Sequence, residues 1–189
     1  PYFFHRVQWK DADGDGDLDA FTCRARVSGD LIDSALLWYE NPGGADPGRE
    51  PDWAPNVISE DDCDSMTATA TLNAGGQDYN VLFTVGYFND KFSVYWTTDP
   101  EDRWDDLSFV ESRLIDETPA TENHFFDVEV VDLNNDEKVD LLVTINSESY
   151  GYLLAYEIPD DFRTGTFRRI VLAEGFSSRS GSSAGGAPG

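Results

Sequence analysis

The side chains in this sequence best placed for chemistry are carboxylates. Asp11, Asp13, Asp15, Asp17 and Asp19 fall on alternate residues, with Gly14 and Gly16 between them and the apolar run Ala20-Phe21-Thr22-Cys23 directly after. Like charges at that density repel one another, so the spacing calls for a cation among them. Counted from Asp11, the side chains at positions 1, 3 and 5 can converge on one point, and a backbone carbonyl at position 7 (Asp17) can join them. Asp19 adds a carboxylate at position 9. A set of hard oxygen donors suits Ca²⁺ rather than zinc or copper, which prefer nitrogen and sulfur. Gly16, at position 6, supplies the positive φ that the sharp turn needs. The competing reading is a solvated acidic turn.

A second acidic stretch repeats the pattern. Asp132, Asn134, Asp136 and Asp140 match Asp11, Asp13, Asp15 and Asp19, Lys138 takes the carbonyl position of Asp17, and Leu141-Leu142-Val143-Thr144 follows. Glu137 replaces the turn glycine, and a non-glycine residue at positive φ costs about 1 kcal/mol. Asn134 also removes one ligand charge. A second, weaker Ca²⁺ site is expected. The two loops begin 121 residues apart, twice a repeat of about 60, which places a middle copy near residue 71. There Thr71–Asn80 keeps two glycines and runs into Val81-Leu82-Phe83-Thr84, but the carboxylate pattern is gone, so this copy should bind no calcium.

The loops depart from an EF-hand, which has a bidentate Glu at position 12 and continues into a helix. Here position 12 is Thr22 and the continuation is strand-like. The form D-x-D-x-D-G-x-x-D before a strand resembles the calcium loops of FG-GAP and VCBS repeats, the β-propeller family that includes integrin α heads. The resemblance covers about residues 1–175. It implies ions that brace the blade turns without doing chemistry.

The elements that must position the loops are short strands. Runs rich in β-branched and aromatic residues fall at about 3–9, 20–27, 35–40 and 56–59, then 65–71, 81–87, 92–97 and 108–115, then 125–131, 140–146, 152–157 and 166–173. Nothing has helical period and length. Four antiparallel strands per repeat describe a blade. The expectation is an all-β propeller: blade 1 over 1–60 with a calcium loop, a degenerate blade 2 over 61–117, blade 3 over 118–175 with a calcium loop, and a flexible Gly/Ser-rich tail over 176–189. Rings close with roughly four to eight blades. Three visible blades therefore imply a larger ring, seven-bladed in many relatives the resemblance suggests, built from more of the same parent chain or from neighbouring copies.

Composition bounds the class. Thirty-seven acids against 13 bases give a net charge of −24, and the chain is 40% hydrophobic with 13% aromatic residues. Such a surface repels nucleic acid and anionic membranes, and no apolar run approaches the roughly 20 residues that span a bilayer. Two Ca²⁺ ions would cancel only four charges, so most of the excess is surface. An acid-rich, lysine-poor balance suits a salty medium. The opening Pro1-Tyr2-Phe3-Phe4 is already strand-like and reads as a processed or truncated end. Cys23 and Cys63 are either a bridge or two buried thiols. A disulfide and a calcium module would both point outside the cell.

No Walker loop, H-E-x-x-H or Cys/His cluster is present. His5 and His124 lie at first strands without occupying equivalent positions, and read as packing or capping residues. Trp38, Trp53, Trp96 and Trp104 recur at matching places, which favours core between blades over sugar stacking. The function expected is an extracellular, calcium-stabilised binding or adhesion module for glycan or protein. The rivals are the propeller domain of a polysaccharide-degrading, lyase-like enzyme, and a structural subunit of a filament or coat.

Overall fold

A computed structural model describes residues 1–44, 46, 48, 53–117, 123–147 and 150–177. The tail expected over 176–189 lies outside the described residues from 178 onward. Twelve strands follow one another: β1 (Phe3–Lys10), β2 (Asp19–Ser28), β3 (Leu31–Glu40), β4 (Ala54–Glu60), β5 (Thr67–Ala74), β6 (Gln77–Val85), β7 (Lys91–Thr97), β8 (Val110–Glu117), β9 (Asn123–Val131), β10 (Asp140–Ser147), β11 (Gly151–Glu157) and β12 (Arg168–Phe176). They form three four-stranded antiparallel meanders, β1–β4, β5–β8 and β9–β12, here sheets 1, 2 and 3.

The sheets pack face to face in chain order. Phe21, Cys23, Leu36 and Trp38 of sheet 1 meet Leu82, Tyr95 and Trp104 of sheet 2 in one core. Phe83, Phe92, Val94 and Trp96 of sheet 2 meet Phe125, Leu141, Val143 and Tyr156 of sheet 3 in a second. The middle sheet is therefore covered on both faces. This is why β7, Phe92-Ser93-Val94-Tyr95-Trp96-Thr97, is a continuous buried run and does not alternate. Among the described residues sheet 3 is covered on one face, and β10 alternates buried and half-buried residues from Leu141 to Ser147.

A disulfide joins Cys23 of β2 to Cys63, between β4 and β5, and so links the first two sheets covalently. Of the two readings of these cysteines, the bridge is the one the fold adopts. Closing a loop across the 40-residue separation restricts the unfolded chain by about 3–4 kcal/mol in the loop-entropy account. The first strands gather together: β1 lies against β5, and β5 against β9. Arg6 of β1 spans all three, donating to the carbonyls of Thr67 (3.4 Å) and Val128 (3.1 Å). It also pairs with Asp127 (3.1 Å) and Glu129 (2.9 Å). No described helix is long and apolar enough to cross a membrane.

Candidate metal centre

The two acidic stretches are the β1–β2 and β9–β10 connections. Each folds round its own carboxylates. In the first, Asp11 accepts the N–H of Gly14 (2.8 Å) and of Gly16 (3.1 Å). Asp13 accepts that of Asp15 (3.1 Å), and Asp15 that of Asp17 (2.9 Å). Gly14 and Gly16 have φ of 83° and 97°, the left-handed region that lets the chain turn so tightly. These bonds hold the acids in place, and one oxygen each from Asp11, Asp13 and Asp15 lies within 4.8 Å of the others. Three hard anionic donors converging on one point form a donor set that fits a Ca²⁺ ion.

Asp19 sits differently. It is buried, and its two oxygens accept the N–H groups of Ala12 (2.7 Å) and Asn41 (2.8 Å), closing the loop and tying it to the end of β3. Burial raises the Asp19 carboxyl above its ordinary value; the Asn41 and Ala12 N–H groups oppose that, while Asp13 and Asp15 add to it. The Asp17 side chain turns outside the converging three, and one of its oxygens lies 2.9 Å from where a Cβ on Gly43 would stand. A role for Asp17 would thus be through its backbone carbonyl, as the sequence pattern expects.

The second loop repeats four bonds of the frame. Asp136 N–H reaches Asn134 Oδ1 (2.9 Å), Glu137 N–H reaches Asp132 Oδ2 (3.0 Å), Lys138 N–H reaches Asp136 Oδ1 (2.9 Å), and Leu133 N–H reaches Asp140 Oδ2 (3.3 Å). Asn135 and Glu137 stand at φ 59° and 68°, where the first loop has its two glycines. The Lys138 N–H and the Asn134 amide hold the Asp136 carboxyl below its ordinary value. Burial raises that of Asp140. Lys138 Nζ turns away to Asp160 (3.0 Å).

The middle copy has no such loop. β5 and β6 are joined by Gly75 and Gly76 alone, at φ 65° and 85°, the two-residue turn favoured in hairpins. Asn73 and Asp78 are bonded to each other across it (2.8 Å).

Sequence reasoning did not find what lies beneath the loops. Trp104 N–H, from the β7–β8 connection of sheet 2, donates to the Ala12 carbonyl (2.7 Å), and its indole packs on Phe21 (5.4 Å). Arg103 passes 3.3 Å from where a Cβ on Gly14 would lie, and is held by Asp99 (3.3 Å). Lys10 pairs with Asp102. In sheet 3 the same connection supplies Phe162, packed on Tyr79 (5.7 Å) and Trp96 (5.3 Å). There Arg163 bonds Asp161 (2.9 Å) and Tyr79 Oη (2.9 Å). The signal available in sequence was an arginine next to an aromatic, following an aspartate, at matching places in two repeats.

The remaining candidates fall into packing. Trp38, Trp96 and Trp104 lie in the two inter-sheet cores, and Trp53 meets the Trp9 ring edge-on (6.2 Å). His124 Nδ1 is 2.8 Å from Asp90 and its ring stacks on Tyr87, while His5 lies among Phe3 and Phe126. A cleft of about 420 Å³ opens between sheets 1 and 2, with Gln8, Lys10, Thr69, Thr71, Asn80 and Trp104 in its wall. No protein-family model, curated protein or solved structure matches the chain.

Proposed function

We propose that this chain is a calcium-braced, propeller-like segment of the FG-GAP/VCBS type that serves as an extracellular binding or adhesion module. The observation that carries the reading is the pair of loops. Two stretches 121 residues apart, different at six of nine positions, fold round the same four N–H bonds to their own side chains and place left-handed residues at the same two positions. A shared frame that turns acids inward despite their repulsion has a physical purpose if a cation is held there. Asp11, Asp13 and Asp15 would hold the first ion, with the Asp17 carbonyl and Asp19 completing the set. Asp132, Asn134, Asp136, the Lys138 carbonyl and Asp140 would hold the second. The ion supplies charge neutralisation and a rigid turn. Face-to-face stacking of four-stranded sheets, with their first strands gathered round Arg6, supports a propeller arrangement in which further blades continue the ring.

The disulfide is compatible with an extracellular setting. For the partner, the inter-sheet cleft offers amides, hydroxyls and an ion pair beside an indole, a mixture suited to a glycan's alternating polar and C–H surfaces. Calorimetric titration with Ca²⁺ tests the core of the reading: two unequal sites are expected, and one site or no heat rejects it. A structural ion also stabilises by mass action, by about 2.7 kcal/mol per site at 100 times Kd. EDTA should therefore lower the melting temperature by several degrees. A glycan array, read beside an assay for unsaturated sugar products, separates a binding module from a lyase.

A further inference from the structure

The two joints between sheets are built to one plan. At each, an aromatic residue from the third-to-fourth-strand connection of the later sheet plugs against the earlier one: Trp104 onto Ala12 and Phe21, then Phe162 onto Tyr79 and Trp96. At each, a tyrosine on the third strand of the later sheet donates its hydroxyl to an aspartate after or at the end of the earlier sheet's fourth strand. Tyr95 bonds Asp62, and Tyr156 bonds Asp116 (2.7 Å). The register makes these tyrosines equivalent, since Tyr95 faces Leu82 and Tyr156 faces Leu141.

The apolar parts of a third joint of this kind are present, one set at each end of the stack; the acid in β12 is Glu174, and no aspartate stands there to match Asp62 and Asp116. Sheet 1 carries the later-sheet half. Tyr39 faces Ala20 in the same register, and Trp53 stands on the third-to-fourth-strand connection. Phe4, Val7 and Trp9 are paired with Arg24, Thr22 and Ala20, the side of the sheet turned away from sheet 2, and they are 46%, 39% and 60% exposed. Sheet 3 carries the earlier-sheet half. Leu133 matches Ala12 but is 39% exposed where Ala12 is fully buried under Trp104. Leu142, Thr144 and Leu153, which match Phe21, Cys23 and Leu36, are half-buried on its far side.

We infer that the far face of sheet 3 docks, head to tail, on the outer face of sheet 1 of a second copy of this chain, with the partner's Trp53 plugged over Leu133. Continuity with the two internal joints, whose apolar parts the two end faces repeat in complementary form, points to this occupant. One face of each kind makes the contact heterologous, so it either closes on itself or propagates. Two copies would give six sheets and two identical joints, a number within the range of closed rings. The inference rests on the three sheets being equivalent units; it does not depend on calcium being bound.

Sedimentation velocity on the whole 189-residue chain tests it, comparing the wild type with Phe4→Glu on one face and Leu142→Glu on the other. Thr144→Glu serves in place of Leu142→Glu if the latter melts early by circular dichroism. The wild type should sediment at twice its 21.1 kDa mass or in larger steps of it. Each variant alone should be monomeric, and a mixture of the two should form a 1:1 dimer that grows no further, because one intact face of each kind remains. A wild type still monomeric at about 100 µM, well above the micromolar upper end for standard-size interfaces, overturns the proposal. So does self-association of either variant alone, which would show like faces pairing. The calcium titration is read separately, so loss of one reading leaves the other standing.

Discussion

The loops at 11–19 and 132–140 have nearly the same backbone and unlike surroundings. In both, side chains of the loop itself accept the loop's own N–H groups, so the fold of the turn is a local matter. The first loop also rests on a neighbour: Ala12 is sealed by Trp104, and Gly14 lies over Arg103. The second has Leu133 partly exposed at the corresponding place. They differ in charge as well, with Asp13 against Asn134, and in the residues made to adopt positive φ, Gly14 and Gly16 against Asn135 and Glu137. A loop frame can thus be copied by a short stretch of sequence, whereas its outer support is contributed by the next sheet.

If the first loop is the tighter site, the change that should most disrupt the comparison is Asp15→Ala. It removes one of the three converging carboxylates. Affinity should fall on the order of 100-fold, within the span that ligand charge and number produce in calcium loops. The calorimetric trace should keep only its weaker component. Loss of the weaker component instead would reverse the ranking of the two loops. Next in size is Asn134→Asp, which restores the charge that the second loop lacks. It should tighten that site by about tenfold, since one more anionic ligand at close range is worth one to two kcal/mol in a largely solvated setting. No change on titration would mean that position 134 does not face the ion.

Much of this was legible in the sequence because the signals were local. Alternating aspartates with a glycine at position 6 described the first loop, and the positive φ of Glu137 was expected from the same alignment. All twelve strands were found, their ends displaced by a few residues; β3 begins at Leu31, well before the expected 35, because Ile32 and Leu31 pair with Val27 and Ser28 across a tight Gly29 turn. What stayed hidden was contributed from a distance. Asn41 reaches Asp19 from the far end of β3, Arg103 and Trp104 reach the first loop from another sheet, and Arg6 crosses to two others. Single side chains acting over such separations leave no periodicity to read. Asn135 was hidden for a different reason: position 6 is the loop position whose glycine is known, while position 4 also needs a left-handed residue, a conformation asparagine tolerates better than most.

Glu137→Gly gives the smallest and most discriminating change. Glu137 is held at φ 68° by its N–H bond to Asp132, a conformation that costs an L-residue about 1 kcal/mol and glycine almost nothing. If calcium binding is what draws the loop fully into this conformation, glycine should tighten the second site by about fivefold, which corresponds to roughly 1 kcal/mol at 25 °C. If the turn is already formed without the ion, the same strain is present in both free and bound states and cancels. Affinity then stays put, and the gain appears as a melting temperature higher by about 2–4 °C in EDTA. The two outcomes separate a loop that the ion folds from one that its own carboxylates have folded in advance. The dense N–H bonding to Asp132, Asn134 and Asp136 favours the second.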